Sequence, residues 1–222
     1  MFAYLKKYHN SELVFDPSNP IIDEAEFEKK DWTSSKFGHC VGDEILPANM
    51  PKARGFGFLV SARVNTNHSG DTTTRISRTR YIAYVNSDPI YWMSKNQNYV
   101  EISSFGSEFC AMKHCCEYLR GLRYTLRMMG IKVKGPAHMW GDNQSVLCNT
   151  SVPDSTLNNK SQIISYHFVR EGVARDEWRT AYVSMHDNPA DLLTKVLPMG
   201  DKWRGFVRML QHYIFGSAAP SA

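Results

Sequence analysis

The chain has 222 residues and a mass of 25.4 kDa, enough for one core of ordinary size with room for an appendage. Its net charge of +4 and pI near 8.7 suit a nucleic-acid partner without demanding one. A hydrophobic fraction of 42% excludes a disordered chain, and no apolar run approaches the ~18 residues of a membrane span, so no membrane partner is expected. The N-terminal MFAYLKKYHN lacks the apolar stretch of a secretory signal, and the cysteine count is odd, at 5. Both point to reduced thiols and an intracellular location, cytoplasmic or nuclear.

Residues 1–54 alternate acidic stretches such as IIDEAEFEKKDW with turn formers such as DPSNP and LPANMP. They read as a connecting segment, partly ordered and adding little to the core. FLVSARVN, TRYIAYVN and PIYWMS read as three strands, joined closely enough to form an antiparallel meander. A long helix is predicted over 104–129, because Phe105, Phe109, Met112, Cys116, Leu119, Leu122 and Leu126 recur at the helical period. Ser104 is its expected N-cap and Gly130 its left-handed terminator. HMWGD is a further strand, and NQSVLCN and QIISYHFVREGVARD are helices. WRTAYVSM is the last strand, and NPADLLTKVL a last core helix with Pro189 in its first turn. DKWRGFVRMLQHYIF reads as one more helix before a disordered GSAAPSA tail, which divides the chain into 1–54, 55–200 and 201–222.

Three acids stand in separate elements: Glu108 early in the long helix, Asp142 after the fourth strand and Asp191 in the last core helix. Carboxylates that converge from distant elements hold hard cations such as magnesium. Each acid alone has an ordinary structural role open to it, and Asp142 could be no more than a helix cap. Cys110, His114 and Cys115 sit close together in the predicted long helix and read as packing residues rather than a zinc site. Arg120, Arg123 and Arg127 form a stripe on the same helix that could meet phosphates or face solvent equally well.

In chain order, ARVNTNHSGD-TTTRISRTRY, PIYWMSKNQ, SSFGSEF, GDNQSVL, YHFVRE and NPADLLTK resemble the ribonuclease H domain of copia-type retrotransposon polyproteins, closely over about 55–200. The resemblance implies an α/β fold, a mixed five-stranded sheet of three antiparallel strands plus two parallel additions, flanked by helices. It makes 1–54 the remnant of the segment that joins reverse transcriptase to ribonuclease H. It implies an RNA–DNA hybrid as partner, a reverse transcriptase domain upstream or in trans, and a monomer. It also implies RNA-strand cleavage with two magnesium ions held by Glu108, Asp142, Asp191 and a first-strand aspartate. Here the family's Val-Asp-x-Asp-His-Ala-Gly reads Val64-Asn65-Thr66-Asn67-His68-Ser69-Gly70, so Asn65 replaces the bridging acid. Arg80 stands where the family usually has glycine. The second metal should therefore be poorly held and cleavage very slow or absent, with Asn65→Asp alone expected to restore it. The alternatives are a non-catalytic nucleic-acid-binding module or a decayed polyprotein fragment. Arg75, Arg78, Ser104, Gln144, His167 and His186 are the expected nucleic-acid contacts. A proton-transfer role for His186 is weaker than that of a solvated loop residue.

Overall fold

The computed structural model describes residues 6, 11–13, 15–42, 44, 46–156, 163–193, 200–209 and 212–214. β-branched and aromatic residues alternate with smaller ones through the first half of the chain, and these runs form the central sheet. Its strands are β1 (Val60–Asn67), β2 (Arg78–Val85), β3 (Asp88–Asn96), β4 (Ala137–Gly141) and β5 (Trp178–Tyr182), in spatial order β3-β2-β1-β4-β5. The β1–β2 and β2–β3 pairs are antiparallel, and the β1–β4 and β4–β5 pairs are parallel. This is the expected mixed sheet, with β1 at its centre.

Helix α1 (Ser104–Met128) lies on one face. It buries Phe109, Met112, Cys116 and Leu119 against Val60, Ala62 and Val64 of β1, Tyr81 and Ala83 of β2 and Met139 of β4. Its N-cap is Ser103 rather than Ser104: the Ser103 hydroxyl accepts from the Gly106 amide, and Ser104 is the first helical residue. Gly130 follows with φ of +76°, the left-handed conformation that lets the helix stop. Helices α2 (Gln144–Ser151) and α3 (Ile163–Ala174) complete the layer. Gly172 of α3 lies so close to the Trp178 indole that a Cβ there would sit 2.0 Å from the ring.

The last core helix differs from expectation. NPADLLTKVL begins as a 3-10 turn over Pro189–Leu193, and 194–199 lie outside the described residues. Helix α4 (Asp201–Met209) ends sooner than predicted, and a short strand, His212–Ile214, pairs antiparallel with Ser11–Leu13. The predicted tail lies outside the described residues. A second short pair, Arg54–Phe58 parallel to Ile131–Val133, has no counterpart in the predicted elements.

The segment before residue 54 contributes far more to the core than its turn-rich sequence suggests. Phe27 packs edge-on against His138 and Trp140 of β4, and its cluster includes Ala181 and Val183. Trp32 and Phe37 stack around the guanidinium of Arg170 on α3, at 4.7 and 5.1 Å from the ring centroids. Aromatics spaced by polar residues carry no helix or strand period, so the sequence pattern hid their burial. The arginine stripe on α1 is largely taken up by ion pairs, two of them to this segment. Arg123 and Arg127 grip Glu44 from this segment, at 3.1 and 2.6 Å, and Arg120 binds Glu177 at 2.7 Å.

Candidate active site

Four elements end near one another where β1 runs out. Asn65, the sixth residue of β1, pairs directly with Arg80 of β2, which pairs in turn with Ser94 of β3. Directly opposed residues share a face, so the three form one cross-strand row. The 3-10 turn carrying Asp191 contacts both β1 and β2, and Ser94 Oγ donates to the Leu193 carbonyl at 3.3 Å. Asn188 fixes this turn: its Nδ2 donates to the Val64 carbonyl at 2.8 Å and its Oδ1 accepts from the Ala190 amide. Asp142 follows Gly141, the last residue of β4. It is not the cap of α2, because Asn143 accepts from the Val146 amide. The Asp142 carboxylate is thus left to serve the cluster. Glu108 is one turn into α1, past Gly106, where a Cβ would meet a Glu101 carboxylate oxygen at 2.2 Å.

Asn65 joins two of the acids. Its Nδ2 donates to Asp142 Oδ2 at 3.2 Å and to Asp191 Oδ1 at 3.0 Å. An amide facing two carboxylates must present its NH2, because its carbonyl would face oxygen lone pairs with no proton between them. Asn65 and Asp191 are 4% and 5% exposed. The Glu108 carboxyl is pushed well above the usual range, first by burial and next by the charge of Asp142. A backbone hydrogen bond from Thr66 and the charge of Arg80 oppose that shift, while Asp191 adds to it. Burial, followed by the charge of Arg78, lowers Arg80 to about 10; Asp191 and Glu108 act in the opposite sense. Arg80 therefore remains a cation at neutral pH while only 2% exposed.

The other expected residues lie at varying distance from this cluster. Arg75 and Arg78 are exposed on the β1–β2 hairpin, where Arg75 has φ of +57° and Arg78 Nε donates to Asn96. Ser104 and Gln144 are exposed at the starts of α1, which carries Glu108, and α2, which follows Asp142. His186 is exposed in the turn before Asn188. His167 does not join the cluster: its ring packs beside Phe37 and Tyr166 on α3. Two residues escaped sequence reasoning. Asn188 looked like loop filler beside Asp191, though an Asn before Pro-Ala-Asp at a turn is a common local bond former. His68 bridges β1 to α1, its Nδ1 within 3.2 Å of Ser107 Oγ beside Glu108, and the His-Ser-Gly turn gave no hint of that reach.

These residues do not fit a two-metal centre as they stand. Among the described residues, no group of three or more acidic, histidine or cysteine side chains is spaced to hold a metal ion. One oxygen each of Asp142 and Asp191 accepts from the Asn65 amide, and the buried Arg80 lies directly across the ladder from Asn65.

No family model matches the chain. Over 146 residues, 65% of its length, it is 32% identical to the "Retrovirus-related Pol polyprotein from transposon RE2" of Arabidopsis thaliana. Over 140 residues, 63% of its length, it is 27% identical to the corresponding polyprotein from transposon TNT 1-94 of Nicotiana tabacum. The chain spans about 10% of the length of each. Among solved structures, the N-terminal RNase H domain of a Mycobacterium tuberculosis protein superposes with a TM-score of 0.48 at 9% identity, covering 70% of this chain and 98% of that one. RNase H1 of Halobacterium salinarum superposes with a TM-score of 0.46 at 14% identity, covering 60% and 92%. The order of the motifs and the mixed five-stranded sheet agree with the ribonuclease H resemblance, and over 65% of its length the chain is similar to Pol polyproteins of plant transposons.

Proposed function

We propose that this domain binds RNA–DNA hybrid and cleaves the RNA strand very slowly or not at all. In the active family, two magnesium ions stabilise the attacking water and the leaving oxygen. In this chain the acids are organised differently. The observation that carries the reading is the Asn65 amide, which donates to both Asp142 and Asp191. A fourth carboxylate in that place would repel its neighbours unless cations lay between them; the amide removes that need.

Binding is a separate property. Arg75 and Arg78 are exposed on the hairpin that continues β1 and β2 beyond the cluster. Backbone phosphates are their natural partners, and such contacts are sensitive to salt and carry no base preference. Ser104 and Gln144 add polar contacts at the same rim. The domain acts as a monomer inside the cell, beside a reverse transcriptase domain encoded upstream or supplied in trans. Anisotropy of a labelled hybrid in rising salt, with a parallel cleavage assay in magnesium, tests the reading. Salt-sensitive binding without product is expected. Failure to bind at low salt, or rapid cleavage by the unmodified chain, would overturn it.

A further inference from the structure

Asn65 accounts for only part of what separates this cluster from a metal centre. Two carboxylates held by one amide remain two negative charges, and Glu108 brings a third ionisable group. Arg80 is the cation that meets them. It lies directly across the β1–β2 ladder from Asn65, is almost wholly buried, and its charge acts on both Asp191 and Glu108. Ser94, next in the row, binds the carbonyl of Leu193 and so helps close the Asp191 turn over that row.

We infer that Arg80 and Asn65 together take the place of the metal ions, an internal guanidinium and an amide that balance the acids and close the cluster to divalent cations. This rests on reading the cluster as the counterpart of the family's catalytic centre. It changes what restoring the aspartate can achieve. Asn65→Asp adds a carboxylate but leaves the guanidinium, and the new acid would sit opposite Arg80 and pair with it. A dication entering the site would meet the charge of Arg80, the cross-strand neighbour of residue 65. Metal affinity should return only when both residues are changed.

The test is manganese titration of the full chain by calorimetry, on the unmodified protein, Asn65→Asp, Asn65→Asp/Arg80→Gly and Asn65→Asp/Arg80→Lys. Circular dichroism checks that each variant is folded. Saturable binding is expected only in Asn65→Asp/Arg80→Gly, at least about a hundredfold tighter than in Asn65→Asp alone, as repulsion between close charges at an effective dielectric of about 20 requires. The inference is overturned if the unmodified chain binds manganese in a manner lost with Asp142→Asn. It is equally overturned if Asn65→Asp alone matches the double variant, if the lysine and glycine variants bind alike, or if the folded double variant does not bind. Should the glycine variants not fold, Arg80→Ala is compared with and without Asp191→Asn by thermal melting. A counter-ion role predicts a smaller loss when the acid is already neutral, and equal losses would contradict it. Hybrid binding in EDTA, read on the same proteins, reports on the proposed function separately, because it does not depend on metal.

Discussion

Arg170 and Arg80 are both almost wholly buried, and their surroundings differ sharply. Arg170 is caged: its guanidinium lies over Trp32, Phe37 and Tyr166 and donates to the carbonyls of Asn149, Val152 and Pro153 at 2.6–2.9 Å. Arg80 lies in a row of polar residues at the end of the sheet, directly across the ladder from Asn65, whose amide binds Asp142 and Asp191. The first arginine joins elements by packing and neutral acceptors, and the second by opposing charge. Packing of the first kind depends little on pH and ions, with Asp154 the acid whose charge reaches it, whereas balance of the second kind responds strongly to both.

The largest effect should come from the caged arginine. Arg170→Ala leaves three carbonyls short of a donor and opens a cavity among the rings, a loss on the order of 3–5 kcal/mol. Chemical denaturation should show it equally at acidic and neutral pH. A loss that depended on pH would make Arg170 a charge partner like Arg80. Phe27→Ala should cost about 3 kcal/mol by emptying the contact with His138 and Trp140. If that variant melts like the unmodified chain, the segment before residue 54 is a loosely attached appendage after all.

The cluster is sharpened by Glu108→Gln. The folded protein holds a proton on Glu108 that the unfolded chain gives up near 4.5, so stability from this group is present at low pH and falls as pH rises through the raised folded value. Glu108→Gln should therefore raise the melting temperature more at about pH 8 than at about pH 5. An equal gain at both would mean that the acid is not strained by its neighbours. The smallest effect belongs to Glu44. Burial opposes its ionisation, but hydrogen bonds and charge from Arg127 and Arg123 prevail and hold it below 4.5. Its contribution is present above that value and lost as pH falls through the lowered one, so Glu44→Gln should cost about 1 kcal/mol near neutrality and little in acid.

The sheet was legible because its strands are short, separated by turn formers and followed by a helix with a clear period. The acids were legible as motifs in order, and Asn65 as a departure within one of them. The partner of Asn65 was not, because register sets which residue of β2 lies opposite, and register depends on the length of the hairpin between Asn67 and Arg78. The docking of Phe27, Trp32 and Phe37 was hidden because isolated aromatics between polar residues look like a linker until a surface receives them. The cap of α1 shifted by one residue, from Ser104 to Ser103, where the neighbouring serine offered the same chemistry, and Asn143 took the capping role that was open to Asp142.

On this reading, amide and guanidinium together hold the acids where metal would otherwise be needed. Single-turnover cleavage of a labelled RNA–DNA hybrid in magnesium, with protein in excess, tests it most directly. The unmodified chain and Asn65→Asp should leave the RNA strand intact, while Asn65→Asp/Arg80→Gly should cut it, and Asp142→Asn added to that variant should abolish the cut. Cleavage by the unmodified chain at the rate of the double variant would contradict the account.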